Sequence, residues 1–123
     1  MRQLVESADS ATWIAEHDGQ IAGFAIVEWA EEQDEVVAYI QTLEVAPAAR
    51  SRGMGGELLR RLEASAAEAS AVVIWLHVDE SNTGAIRLYE RSGFRCEGRE
   101  EDYYGPDRPA LVFAKTLPGP TAR

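Results

Sequence analysis

Leu43-Glu44-Val45-Ala46-Pro47-Ala48-Ala49-Arg50-Ser51-Arg52-Gly53-Met54-Gly55-Gly56-Glu57-Leu58-Leu59 is the stretch whose reading decides the fold. An apolar strand ends at Val45, Pro47 breaks it, and a Gly-rich opening leads into an amphipathic segment. A helix N-terminus leaves about four backbone N–H groups without partners and carries roughly half a unit of positive charge. Gly53, Gly55 and Gly56 carry no side chain that would keep an anion away from those groups. Arg50 and Arg52 set two guanidinium groups beside them, suited to phosphate oxygens. Two other phosphate loops are excluded. A Walker-type loop closes on Gly-Lys-Ser or Gly-Lys-Thr, whereas this one closes on Gly-Gly-Glu, and a dinucleotide fingerprint needs a glycine where Leu58 stands.

The rest of the chain reads outward from this loop. Met54, Leu58, Leu59, Leu62 and Ala66 recur at helical spacing, with Glu57, Arg60, Arg61 and Glu63 on the other side, which predicts a helix over 53–69. The β-branched run Val72-Val73-Ile74-Trp75-Leu76-His77-Val78 predicts a central strand buried on both faces. Strand, turn, helix and strand make a βαβ unit. Upstream, residues 11–16 and 21–28 flank His17-Asp18-Gly19-Gln20, whose Asp-Gly marks a hairpin turn. Trp13, Ile14, Ile21, Phe24, Ile26 and Val27 give that ribbon one buried face. Residues 1–10 carry few apolar side chains and no element is assigned to them. Residues 31–35 read as a solvated acidic loop, and 36–45 as the third strand. Downstream, Ser81 or Asn82 caps a helix that reaches Arg91 and stops with Gly93 at C′. A short strand over 94–97, a polar loop over 100–107 and a last strand over 110–117 complete an α/β (α+β) domain spanning 1–123, with 118–123 as its tail.

Composition bounds the function. The net charge is −9, and 12 Lys and Arg are scattered among 21 acids, so no basic stripe suits a nucleic acid. No apolar run approaches the ~20 residues of a membrane span, and residues 1–6 lack the apolar core of a secretion signal. The single cysteine, Cys96, permits no internal disulfide, which suits a cytoplasmic location. No His or Asp constellation surrounds it, so no metal site is read there, and it is expected to pack as a small apolar group.

The hexapeptide Arg50-x-x-Gly53-x-Gly55 resembles the pyrophosphate loop of the GCN5-related N-acetyltransferase (GNAT) family. Asn82-Thr83-Gly84-Ala85-Ile86-Arg87-Leu88-Tyr89-Glu90-Arg91-Ser92-Gly93-Phe94 resembles the same family's second signature, Asn-x-x-Ala-x-x-x-Tyr-x-x-x-Gly-Phe. The resemblance spans residues 12–117 and implies a mixed, mostly antiparallel sheet with splayed central strands and two helices. It implies acetyl-CoA as cofactor, held by Leu43, Glu44, Val45, Arg50, Ser51, Arg52, Gly53, Met54, Gly55 and Gly56. It further implies Asn82 on the pantetheine arm and Tyr89 near the sulfur, as a binding residue and as the acid. Leu76-His77-Val78-Asp79-Glu80-Ser81-Asn82 resembles the protein N-terminal acetyltransferase branch, including the bacterial enzymes that acetylate ribosomal proteins. In that branch the residue five before the Asn is a Glu or His base, here His77, with Glu44, Glu28 or water as alternatives. Tyr103 and Tyr104 resemble tyrosines that hold the substrate peptide there.

Family members usually begin with a strand and two helices before the hairpin, forming one wall of the acceptor site. About ten residues stand there in this chain. A natural minimal form, an incomplete domain and a wall supplied by a second copy in a homodimer are all compatible with that length. The expected activity is acetyl transfer to a primary amine, first a protein or peptide N-terminal α-amine. A small amine such as a polyamine or an aminoglycoside is the alternative, and a non-catalytic CoA-binding module the third reading. Transfer requires a neutral amine, a donor for the oxyanion, expected at the Val45 N–H, and a proton for the leaving thiolate.

Overall fold

The computed structural model describes residues 1–7, 9–50 and 52–118, with the backbone alone at residues 4–7. Its strands are β1 (Arg2–Ser7), β2 (Ser10–His17), β3 (Gln20–Glu32), β4 (Glu35–Val45), β5 (Ala71–Asp79), β6 (Arg95–Glu100) and β7 (Ala110–Thr116). The helices are α1 (Met54–Glu68) and α2 (Thr83–Arg91). The strands form one sheet in the order β1-β2-β3-β4-β5-β7-β6. Every neighbouring pair is antiparallel except β4–β5, which is parallel and is joined by the α1 crossover.

Local chemistry sets these elements. Asp18 and Gly19, with φ of 54° and 77°, close the β2–β3 hairpin as a turn that matches the strands' twist. Gln33 and Asp34 do the same between β3 and β4, with φ of 51° and 69°. The acidic segment 31–35 is therefore not a loop: pairing runs to Glu32↔Glu35 across a two-residue turn, with the carboxylates exposed to water. Residues 1–10, left without an element in sequence, hold β1, which pairs along β2 from Arg2↔Ile14 to Ser7↔Ser10. An edge strand draws its order from backbone pairing and needs no apolar alternation of its own. β6 likewise extends to Glu100, beyond the expected 94–97.

Both helices lie on one face of the sheet. Leu58, Leu59, Leu62 and Ala66 of α1 and Tyr89 of α2 share one core with Ala25, Val27, Ile40, Ile74, Leu76 and Phe113. Trp13 Nε1–H donates to Oγ of the buried Ser65 at 2.9 Å, and Lys115 Nζ ties Glu63 of α1 to the Ser92 carbonyl after α2, both at 2.8 Å. β5 departs from the expected burial on both faces. Ile74, Leu76 and Val78 pack under the helices, whereas Val73 and Trp75 are partly exposed on the reverse face, where Tyr103 covers His77. Ile21 and Phe24 are also exposed rather than core, and Cys96 is exposed, its Sγ 3.6 Å from the Gly98 carbonyl. Cys96 lies on β6, the edge strand of the sheet.

The parallel pairing of β4 with β5 runs only from Val36↔Ala71 to Tyr39↔Trp75. Just beyond it, the β3–β4 register steps from Val27↔Ile40 to Ile26↔Thr42, which leaves Gln41 as a bulge. A bulge bends its strand and deepens its twist, so β4 swings away while β5 continues beside β7 as far as Asp79↔Ala110. A gap opens in the middle of the sheet.

Gly23 of β3 backs the end of β4 that borders the gap, pairing with Val45. A Cβ there would stand 2.9 Å from the Glu44 carbonyl and 3.2 Å from Leu58 Cδ1. Gly23→Ala is expected to destabilise the fold by about 1–3 kcal/mol through overpacking. A lower urea midpoint with an unchanged slope in equilibrium unfolding is the measurement that checks it.

Candidate active site

The gap is a cleft of about 790 Å³, within the range of small-molecule sites. One wall is β4 from Ile40 to Val45, the other is β5 from Leu76 to Asp79, and α1 and α2 present their N-terminal turns to it. Ala46 N–H donates to the Ala22 carbonyl at 2.8 Å. Strand alternation therefore turns the N–H and carbonyl of Val45 the other way, into the cleft. Arg50 Nε donates to that carbonyl at 3.2 Å, which docks the guanidinium at the end of β4.

On the helix side, α1 begins on Gly53 with φ of 77°, a left-handed conformation that glycine adopts without strain. Among the described residues no side chain caps the first turn; Glu57 N–H bonds the Gly53 carbonyl at 3.1 Å, which leaves the N–H groups of Met54, Gly55 and Gly56 at the cleft. A Cβ on Gly55 would meet Leu88 Cδ2 of α2 at 3.2 Å. Its bareness thus also lets the two helices approach. α2 is capped by Asn82, whose Oδ1 accepts the Ala85 N–H at 3.1 Å, so the amide nitrogen of Asn82 remains for a ligand. At its other end, Gly93 N–H bonds the Glu90 carbonyl at 3.1 Å and Phe94 N–H the Tyr89 carbonyl at 2.9 Å, a Schellman close with Gly93 at φ 94°. That close fixes Tyr89 against Phe94 and Phe113, its ring 6% exposed at the cleft wall. Burial first, then the neighbouring Tyr104, pushes the Tyr89 phenol up to about 12.

The reverse side is aromatic. Tyr39 closes the last paired rung opposite Trp75, with ring centroids 4.6 Å apart edge to face. His77, two residues further along β5, has Nδ1 3.0 Å from the Tyr39 hydroxyl and Nε2 3.2 Å from Glu100 Oε2 of β6. Tyr103 stacks on the imidazole at 4.1 Å and 7°. Burial, a hydrogen bond with Tyr103, and the charges of Tyr103, Tyr104 and Glu28 hold the Tyr39 phenol well above its ordinary range, so it stays neutral. The loop carrying Tyr103 and Tyr104 is clamped to the end of β5: Arg108 bonds Asp79 at 2.7 Å and lies over the Tyr104 ring, and Glu80 N–H donates to the Pro109 carbonyl at 3.1 Å.

Of the residues singled out in sequence, Leu43, Glu44, Val45, Arg50, Gly53, Met54, Gly55, Gly56, His77, Asn82, Tyr89 and Tyr104 line this one cleft. Arg52 is exposed outside it, Tyr103 reaches it through His77, and Ser51 lies outside the described residues. The alternative bases are differently placed. Glu28 Oε1 accepts from Gln41 Nε2 at 2.5 Å, and Glu44 Oε2 from Thr42 Oγ1 at 3.2 Å. Tyr39 and Glu100 were not singled out. The alternation of Ala38, Tyr39 and Ile40 hints at the first, since it turns Tyr39 to the reverse face; no local signal marks the second.

The model of the acetyltransferase (GNAT) family matches residues 1–94. The chain is 38% identical over 100 residues to a streptothricin acetyltransferase of Streptomyces lavendulae, covering 80% of this chain and 52% of that protein. It is 32% identical over 107 residues to the N-alpha-acetyltransferase MAK3 of Arabidopsis thaliana, covering 84% and 56%. The chain thus spans about half the length of the curated relatives it matches. Among solved structures, Arabidopsis thaliana NAA60 in complex with a bisubstrate analogue superposes with a TM-score of 0.79 at 25% identity, covering 90% of this chain and 77% of that one.

The clamp on the Tyr103–Tyr104 loop weakens as pH falls. Bonds from the Ser81 backbone, Arg108 and the Ser81 hydroxyl lower Asp79 to about 2. A depressed carboxyl contributes stability that is complete above its unfolded pKa near 3.9 and is lost as pH falls through the folded value. An NMR titration of the Asp79 carboxyl carbon should give a midpoint near 2. Arg108→Ala should move that midpoint upward.

Proposed function

The chain belongs to the acetyltransferase (GNAT) family, and on that premise we propose that it is an acetyl-CoA-dependent N-acetyltransferase acting on a primary amine, first the α-amine of a peptide or protein N-terminus. One observation carries the reading. A single cleft joins a bare helix N-terminus to His77, whose Nδ1 lies 3.0 Å from the Tyr39 hydroxyl behind it. A diphosphate fits the first end: unpaired N–H groups converge there, Gly53 supplies the left-handed start, and Arg50 stands beside it. Acetyl-CoA supplies an activated acyl group as a thioester.

The chain's own residues do the rest. Met54, Gly55 and Gly56 hold the phosphates through backbone N–H, Asn82 offers its amide to the pantetheine arm, and the Val45 N–H meets negative charge on the acyl oxygen. Such a donor is worth ~3 kcal/mol. A peptide α-amine has a pKa near 8 and a lysine near 10.4, so the α-amine gives up its proton more easily at neutral pH. The Tyr39 hydroxyl and His77 Nδ1, sharing one proton at 3.0 Å, take that proton. Tyr89 returns one to the leaving thiolate. With the phenol at about 12 and a thiol near 8.5, full transfer is roughly 3.5 pH units uphill, about 5 kcal/mol. The gap narrows because the thiolate sits in the same poorly solvated cleft. The exposed rings of Tyr103 and Tyr104 flank the acceptor end and suit a peptide backbone.

A small-molecule amine is the second reading, favoured by the 38% identity to a streptothricin acetyltransferase. Turnover on an N-terminal peptide panel, with none on polyamines, aminoglycosides or streptothricin, supports the first reading, and the opposite pattern supports the second. Acetyl-CoA binding by calorimetry with no acceptor acetylated leaves a CoA-binding module.

Tyr89→Phe should lower kcat about 10²-fold with little change in acetyl-CoA affinity. Because the Tyr89 phenol titrates only near 12, wild type and Tyr89→Phe should show parallel pH–rate profiles from pH 8 to 10. Gly55→Val, crowding both Leu88 and the loop, should abolish acetyl-CoA binding in calorimetry while circular dichroism stays unchanged.

A further inference from the structure

We infer that Glu100, on β6, is a positioning residue that holds His77 as its Nε2–H tautomer, so that Nδ1 turns a lone pair toward Tyr39. The kinetic side of the inference rests on the acyl-transfer reading above; the tautomer itself rests on geometry alone.

An ionised carboxylate only accepts hydrogen bonds. With Glu100 Oε2 3.2 Å from Nε2, a lone pair on Nε2 would face a carboxylate oxygen, whereas an N–H there makes a charge-assisted bond. The hydrogen bond at one imidazole nitrogen decides the state of the other. Nδ1 of the neutral ring is then an acceptor, and its partner at 3.0 Å, the Tyr39 hydroxyl, donates. Tyr103, stacked within 7° of parallel, fixes the ring plane, and the side chain of His77 is 8% exposed. The groups facing the ring are Tyr39 from β4, Trp75 from its own strand, Tyr103 from the loop and Glu100 from β6, with Val112 opposite it on β7. Among the described residues Glu100 is the carboxylate within hydrogen-bond reach of the imidazole.

The tautomer decides what the cleft offers an amine. When Tyr39 donates to Nδ1, its oxygen accepts from the Tyr103 hydroxyl and keeps one lone pair free. An incoming ammonium can then lose its proton to the Tyr39 oxygen as the original Tyr39 proton passes to Nδ1. One N–H bond breaks on the amine, one O–H bond is exchanged on Tyr39 and one N–H bond forms on His77, whose cationic ring lies against Glu100. In the opposite tautomer Nδ1–H would donate to Tyr39, whose own O–H would point at the amine as a donor. Proton transfer from the amine would then have no acceptor.

The chain's two histidines make the test direct. In ¹⁵N-labelled protein carrying His17→Asn, two-bond nitrogen–proton correlations report the His77 tautomer at pH 8. Wild-type surroundings should give the Nε2–H form alone, Glu100→Ala a mixture, and Glu100→Gln, whose amide oxygen still accepts, the Nε2–H form again. With a peptide acceptor, Glu100→Ala should lower kcat roughly 10- to 100-fold at unchanged KM for acetyl-CoA, with Glu100→Gln recovering most of it. A pure Nε2–H ring in Glu100→Ala overturns the inference, and so does a mixed ring with undiminished kcat. If the unaltered protein acetylates nothing, the functional reading fails and the tautomer result alone decides Glu100's hold on the ring.

Discussion

A parallel strand pair that stops early is the constraint from which the site follows. β4 and β5 share rungs up to Tyr39↔Trp75, and the Gln41 bulge then carries β4 away. Backbone N–H and C=O groups in a sheet interior are costly to leave unpaired. Here the facing edges of β4 and β5 lose their partners together, at the place where the uncapped first turn of α1 adds three more N–H groups. Among the described residues no buried side-chain nitrogen or oxygen lacks a partner. Backbone polar groups are thus presented around one cleft of a chain whose net charge is −9.

The two faces of the sheet serve that cleft differently. On the helix face, leucines of α1 and the aromatic pair Tyr89 and Phe113 make a dry core, and Lys115 ties α1, β7 and the end of α2 together. That rigidity holds the helix N-terminus and Tyr89 at fixed places along the gap. On the reverse face a sequence of ring contacts from Trp75 through Tyr39 and His77 to Tyr103 does the positioning, and the Arg108–Asp79 clamp holds its outer end. The helix-side end of the cleft is therefore shaped by packing, and the reverse end by ring contacts and the clamp.

Several features were legible because their causes are local. The α1 stripe of Leu58, Leu59, Leu62 and Ala66, the Asn82 cap with its Gly93 close, and the Asp18-Gly19 turn each follow from residues a few positions apart. Others were misread because their causes are not local. β1 and the outer half of β6 owe their order to a neighbouring strand's backbone, the acidic residues 31–35 extend a hairpin whose turn needs only Gln33 and Asp34, and Cys96 is exposed on the edge strand β6.

The sequence by itself determined the glycine-rich turn, the βαβ unit that presents it and the helix that carries Tyr89, since spacing along one chain suffices for a cap, a stripe or such a turn. Only the tertiary structure decided which groups surround His77. Tyr39 stands 38 residues before it and Glu100 23 after, on strands brought beside β5 by sheet order and by one bulge. Side chains that meet across strands are set by register, and register is fixed by the packing of the whole sheet rather than by any one segment.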